Sequence, residues 1–260
     1  MKEFKVIESK ENSLIKLVNA LQTSSKQRKE NGLFVLEGLR IIKDGYENNV
    51  NFKKLIVSFS AFEKLSEEIS IFSKVSEECY KIPDNLFKKI SDTSTPQGVI
   101  VLCSAPEVET RNIDKNGRYI ALENIQDPSN LGAVARTAEA LGVSGIIISK
   151  NSCDPYAPKS LRASMGTLLR LPIFVLDDFA SDLKKSGLKS YACVVDKNAK
   201  SINDIKIENG VALIIGNEAN GITEETKNNA DFKITIPMKG NAESLNAAVA
   251  ASIAMWEMMK

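Results

Sequence analysis

The chain has 260 residues, of which 43% are hydrophobic and 26% charged, and its net charge is +1. That suits one large or two smaller globular domains with a real core, and it supplies no global attraction for nucleic acid, which would need a local basic patch. There is no histidine, which excludes Ser-His and Cys-His nucleophile pairs, HExxH metal sites and imidazole bases, and the four scattered cysteines form no CxxC pair for zinc or dithiol chemistry.

Asn12 to Gln22 carries Leu14, Ile15, Leu17, Val18 and Leu21 at amphipathic helical spacing. The polar TSSKQRKENG follows; it reads as a solvated loop or, through Lys26, Arg28 and Lys29, as a phosphate-contacting patch. Next come strand Leu33 to Leu36, helix Leu39 to Tyr46, strand Lys54 to Ser58, helix Ala61 to Ser66, strand Ile69 to Val75, helix Asp84 to Lys89 and strand Val99 to Cys103. This alternation predicts a small α/β domain over 1–105, entered by its leading helix. Residues 106–117, rich in charge and poor in apolar side chains, read as a linker. Cys103 and Cys193 sit in apolar runs and read as core.

A second alternation occupies 118–260. It runs through strand Arg118 to Leu122, helix Asn130 to Leu141, strand Gly145 to Ser149, a short helix from Pro158 to Met165, and strand Ile173 to Leu176. Helix Asp178 to Lys185, strand Ser190 to Val195, strand Val211 to Ile215 and helix Thr223 to Asn229 complete it before the closing segment. That segment opens with strand Ile234 to Ile236, turns through Met238 to Ala242, and enters an alanine-rich helix at Glu243. A helix apolar on nearly every face must be buried. Ser244 and Asn246 lie at its start, where they either cap orphan N–H groups or face a ligand. No apolar run is long enough to span a bilayer and no secretory signal opens the chain, so a cytoplasmic protein is expected.

Three clusters put polar residues at the C-terminal ends of apolar strands, the place where open α/β sheets bind ligands. The first holds Asn124, Asn130 and Arg136; an arginine on a helix of small apolar residues needs a partner, whether a structural acid such as Glu139 or Glu218 or a ligand phosphate. The second is Gly216-Asn217-Glu218 with Gly221, which matches neither a dinucleotide fingerprint nor a P-loop. The third is the closing segment itself.

NLGAVAR (130–136), IIGNEANGI (214–222) and IPMKGNAESLNAAVAASI (236–253) resemble, in order, the three motifs of the SpoU (TrmH-like) family of RNA ribose methyltransferases in the SPOUT superfamily. FVLEGLRIIKDG (34–45) resembles that family's substrate-binding domain, closest to the branch acting on ribosomal RNA. The resemblance implies a small α/β substrate-binding domain followed by a trefoil-knotted α/β methyltransferase domain. It also implies S-adenosylmethionine bound in the knot and a homodimer whose interface includes the last helix. With no metal-ligand cluster and no bilayer-spanning run in the sequence, neither metal nor membrane is expected as a partner.

On that reading Arg136 is catalytic. A guanidinium is a poor base, so Arg136 would stabilise charge and position the 2′-hydroxyl while the base remains open. Asn130 would orient the ribose or Arg136, Glu218 would hold one of them, and Ser244 and Asn246 would complete the pocket. Leu213, Ile215, Gly216, Asn217, Ile236, Met238, Ser244 and Leu245 would hold the cofactor. Lys26, Arg28, Lys29, Arg40 and Arg162, with Lys159 and Arg170 as further candidates, would contact RNA. The target expected is ribosomal RNA, with tRNA as the alternative. A catalytically silent RNA-binding ribosome-assembly protein is the reading of a different class, and a nucleotide-dependent oxidoreductase lacks its fingerprint.

Overall fold

The computed structural model describes residues 2–106, 113–196 and 198–260. Half of the expected linker, 107–112, therefore lies outside the described residues. The chain divides into two compact units, Met1–Pro106 with Tyr156–Leu161, and Glu107–Pro155 with Arg162–Lys260.

The first unit contains a five-stranded sheet in the order β1-β4-β3-β5-β2. Its strands are β1 (Phe4–Val6), β2 (Leu33–Glu37), β3 (Phe52–Ser58), β4 (Glu78–Ile82) and β5 (Val99–Ser104). Only β5 runs against its neighbours, β3 and β2, so the other strands all point their C-terminal ends the same way. Helix α1 (Ser13–Thr23) is capped by Asn12, whose side chain accepts from the Leu14 N–H at 2.9 Å. It buries Leu14, Ile15, Val18 and Leu21 against Ile56, Ile100 and Leu102 of the sheet.

Two expectations fail here. The polar stretch after α1 is a helix, α2 (Ser25–Asn31), capped by Ser24 and closed by Gly32 in the left-handed region. Its seven residues carry only one buried side chain, Arg28, so no apolar period announced it. The segment read as a strand from Ile69 to Val75 belongs to a helix, α5 (Ser66–Val75), and the strand follows it as β4. The β-branched residues suggested a strand, but Ile69, Phe72 and Ser73 are the buried ones, a helical i, i+3, i+4 set. Helices α3 (Leu39–Glu47), α4 (Phe59–Lys64) and α6 (Asp84–Ile90) each follow directly on the C-terminal end of a strand.

The second unit is built on a seven-stranded, wholly parallel sheet in the order β10-β12-β9-β11-β6-β7-β8. It comprises β6 (Arg118–Leu122), β7 (Gly145–Ser149), β8 (Ile173–Leu176), β9 (Lys189–Cys193), β10 (Lys200–Ser201), β11 (Val211–Ile215) and β12 (Phe232–Thr235). β7 and β11 are buried along their whole length, as a parallel sheet covered on both faces requires. From β6 the chain steps outward through β7 to β8, then returns to build β9, β11 and β12 on the other side. The order reverses between β6 and β11, and a crevice opens at their C-terminal ends.

Helices α7 (Pro128–Leu141) and α11 (Ala247–Met258) pack together near those two strands. Gly132 lets α7 approach the turn after α8 (Pro158–Ala163), since a Cβ there would lie 2.5 Å from Cβ of Ala163. α11 buries Ala247, Ala248, Ala251, Ala254, Met255 and Met258, while Val249 and Trp256 stay 48% and 57% exposed. Helices α9 (Phe179–Lys185) and α10 (Glu224–Asn229) complete the unit. Among the described residues no helix is long and apolar enough to cross a membrane.

Candidate active site

At the end of β6 the chain turns sharply at Asn124, a non-glycine residue at φ 56°. Ser149, at the end of β7, accepts the Asn124 N–H at 2.8 Å and donates to its side-chain oxygen at 3.1 Å. At the end of β11, Gly216 has no room for a Cβ, which would lie 2.1 Å from the carbonyl carbon of Gly221. The loop folds back there through paired backbone bonds between Asn217 and Gly221, at 3.0 and 2.9 Å. The Asn217 side chain accepts from the Ala219 and Asn220 N–H groups and donates to the Asn124 carbonyl at 2.7 Å, joining the two strand ends. Glu123, 4% exposed, adds a second tie: its carboxylate accepts from the Thr223 N–H at 2.8 Å, the Thr223 hydroxyl at 2.7 Å and the Thr226 hydroxyl at 2.6 Å.

These ties fix Glu218. Its carboxylate accepts from the Asn130 side-chain amide at 2.7 Å and, more weakly, from the Gln126 and Asp127 N–H groups at 3.4 and 3.5 Å. Burial pushes its pKa up, but the Asn130 amide and the backbone N–H groups outweigh it and hold the carboxyl below its ordinary value. The Asn130 side-chain oxygen in turn accepts from the Asn246 amide at 3.1 Å. The Asn246 oxygen accepts the Ala248 and Val249 N–H groups at 2.9 and 3.2 Å and so caps α11.

The polarity of this chain is set from both ends. Backbone donors force the oxygen of Asn246 toward the helix, so its amide must face Asn130; a carboxylate at the far end demands the amide of Asn130. Asn130 is free for this because α7 is capped instead by Asp127, whose carboxylate accepts the Ser129 N–H at 2.9 Å. The expected helix start at Glu243 is also corrected. α11 begins at Ala247, and Ser244 lies before it, exposed, in the loop. Asn246 both caps and joins the side-chain chain, so the two roles weighed for it are compatible.

Arg136 is exposed on α7 and, among the described residues, has neither a hydrogen bond nor an ion pair. Both acids considered as its structural partners are engaged elsewhere. Glu218 holds Asn130, and Glu139 is ion-paired with Arg170 at 2.5 Å and accepts from Thr167 at 2.8 Å.

Beside Glu218 opens a cleft of about 580 Å³, within the range of small-molecule sites. Its lining includes Ile215, Gly216, Asn217, Ile236, Met238, Ser244 and Leu245 from the sequence-derived set. Leu213 is not among them, because it is fully buried inside β11. The cleft also takes Cys193, the last residue of β9, and Val194 to Asp196 after it, together with Lys227 and Lys233. Sequence reading treated Cys193 as core; burial does push its thiol up to about 12. Val194-Val195-Asp196, at a strand's C-terminal end, was the available signal for this wall. The mixed lining, apolar at Ile215, Ile236 and Leu245 and bearing charges of both signs, fits a nucleoside joined to a zwitterionic tail.

The expected RNA contacts fare unevenly. Arg28 is corrected: it is 6% exposed, and its guanidinium donates to the Leu21 carbonyl at 2.5 Å, tying α2 to the end of α1. Lys26, Lys29, Arg40 and Arg162 are exposed, Lys26 with Glu30 at 3.7 Å.

Residues 117–256 match the model of the SpoU rRNA methylase family, more than half of the chain. The chain belongs to the SpoU rRNA methylase family. Residues 12–101 of this SpoU methylase match the MRM3-like substrate binding domain. It is 28% identical over 256 residues to the 23S rRNA (guanosine(2553)-2′-O)-methyltransferase RlmP of Bacillus subtilis, covering 98% of this chain and 99% of the relative. Among solved structures it resembles an rRNA methyltransferase from Sinorhizobium meliloti, with a TM-score of 0.86, 27% identity, and 99% and 98% of the two chains covered. An AdoMet-bound form from the same organism gives a TM-score of 0.84 at 28% identity over 98% and 97% of the chains.

Proposed function

We propose that this SpoU methylase transfers a methyl group from S-adenosylmethionine to a ribose 2′-hydroxyl of ribosomal RNA, at the mouth of the cleft beside Glu218. The carrying observation is the hydrogen-bonded chain Glu218–Asn130–Asn246 beside that cleft, with Asn130 on the same helix as Arg136, which has no partner among the described residues. When bound, S-adenosylmethionine supplies a methyl group already activated on a sulfonium. Ile215, Gly216, Ile236, Met238 and Leu245 hold its nucleoside part, and Lys227, Lys233 and Asp196 face its charged groups.

The protein's remaining work is to align the hydroxyl oxygen and to stabilise charge as its proton leaves. Arg136 does the second: a guanidinium with no partner among the described residues is available to a phosphate or to the oxygen itself. Glu218 does not act as the base, because its donors favour the ionised form and make it a weak proton acceptor. It fixes Asn130 instead. Replacing Arg136 with alanine is expected to lower methyl transfer by about a hundredfold or more while sparing cofactor affinity. Turnover of tritiated cofactor equal to wild type would overturn the assignment.

The enzyme works as a homodimer in this reading, with α11 at the interface; the exposure of Val249 and Trp256 on an otherwise buried helix supports it. The trefoil knot implied by the motifs belongs to the same reading, as does a cytoplasmic location with the ribosomal substrate. The relative named as acting on 23S rRNA spans nearly the whole chain and favours ribosomal RNA over tRNA.

A further inference from the structure

A second hollow, of about 350 Å³, lies in the first unit and shares no lining residue with the cleft beside Glu218. It sits at the C-terminal ends of β3 and β4, where α4 and α6 begin, and is closed on one side by the loop leading into β5. This is the ligand-binding end of an open α/β sheet. Its floor is apolar, with Leu39 and Phe87. Its polar groups are Ser58, Ser60, Asp84 and Gln97, and Lys64 and Lys88 also line it.

The walls are held in place. Glu37, at the end of β2, accepts from Thr93 at 2.8 Å, from the Asp92 N–H at 2.9 Å and from the Ser91 hydroxyl, so the loop is pinned by one carboxylate. Gln97 accepts the Leu39 N–H at 2.7 Å, at the start of α3. Gly98, at φ 82°, packs so close that a Cβ would lie 2.6 Å from Ala61 and from the Ser58 hydroxyl. Two polar groups keep capacity to spare. The Gln97 amide NH₂ donates to nothing among the described residues. Asp84 takes the Ser60 hydroxyl and N–H on one oxygen, leaving acceptor sites over. The Ser60 hydroxyl holds that carboxyl below its ordinary value, so it is ionised at neutral pH.

We propose that this hollow is a subsite for one nucleotide of the RNA other than the methylated one, its base read by Asp84 and Gln97 and its phosphate neutralised by Lys64 and Lys88. A carboxylate acceptor beside an amide donor complements a base edge that offers an amino or imino N–H next to an acceptor. The volume suits a single base on an apolar floor, and the two lysines, both exposed, put positive charge on the lining of the same hollow. The inference rests on the RNA-methylation reading above.

The sign of one substitution separates base reading from general electrostatics. Asp84→Asn removes a negative charge from an RNA-binding surface, which by charge alone should tighten binding. If Asp84 accepts from a base, the same change weakens it. The experiment uses the full chain and a ribosomal RNA transcript that the wild type methylates, with affinity read by fluorescence anisotropy at several salt concentrations and S-adenosylmethionine affinity by calorimetry. Asp84→Asn is expected to weaken RNA binding at least about threefold. Lys64→Glu with Lys88→Glu, both at exposed positions, should weaken it further and flatten the salt slope by up to about two. Cofactor affinity should not move in either variant. RNA binding by Asp84→Asn that equals or exceeds wild type, or an unchanged salt slope in the lysine variant, overturns the subsite. A wild type that methylates no ribosomal RNA overturns the methylation reading, and the subsite with it.

Discussion

Asn246 carries two separable duties, and Asn246→Asp pulls them apart. Its oxygen caps α11 through the Ala248 and Val249 N–H groups, and its amide donates to Asn130. Alanine removes both. Losing the cap costs about 0.5–2 kcal/mol and losing the side-chain bond about 0.5–1.5 kcal/mol. Together that is about 1–3.5 kcal/mol, a fall in Tm on the order of 2–4 °C per kcal/mol for a domain this size. Aspartate keeps the cap, and its charge suits a helix N-terminus. It removes the amide donor and sets a carboxylate against the Asn130 oxygen. Asn130 would then stand between two carboxylates, with its single oxygen facing one or the other.

Asn246→Asp should therefore melt within about 1 kcal/mol of wild type but lose at least tenfold in methyl transfer, the equivalent of about 1.4 kcal/mol of transition-state stabilisation. The assays are thermal unfolding by circular dichroism and single-turnover transfer of tritiated methyl to RNA at saturating cofactor. Wild-type transfer by the aspartate variant would refute the positioning role of the chain. An aspartate variant as unstable as the alanine one would refute the division of duties.

Gly216→Ala forces a Cβ to within 2.1 Å of the Gly221 backbone; a loss of at least about 1–3 kcal/mol in stability and a large drop in cofactor affinity are expected by thermal melting and calorimetry. Glu218 has a lowered folded-state pKa, so its contribution is present above the ordinary value of 4.5 and disappears as pH falls through the lower folded one. Cofactor affinity measured from pH 8 downward should accordingly stay flat through pH 5 in wild type as far as this group is concerned, whereas an early decline that Glu218→Gln abolishes would contradict it. Trp256→Glu, at a 57% exposed position, should convert a dimer into monomers in sedimentation equilibrium without unfolding the chain. A monomeric wild type would remove the dimer from the proposal.

The strand–helix alternation and the apolar parallel strands were legible because they depend on local period: Val211–Ile215 is apolar throughout, and α1 repeats its buried residues at helical spacing. So were the polar residues that follow strand ends, since a parallel sheet puts those ends on one side. Local period failed where few side chains are buried, as in α2, or where β-branched residues sit on a helix, as in α5. It also could not say what Arg28 does, because a buried guanidinium on backbone carbonyls and one poised for phosphate look alike in sequence.

Pairing was decided by the tertiary structure alone. Glu139 goes to Arg170 and Glu218 to Asn130, leaving Arg136 without a partner among the described residues. Asn130 and Asn246 are 116 positions apart and meet only because α7 and α11 pack together beside β6 and β11. A sequence lists donors and acceptors; which donor reaches which acceptor is a matter of distances of about 3 Å, and those are set by how the sheet brings its strand ends together.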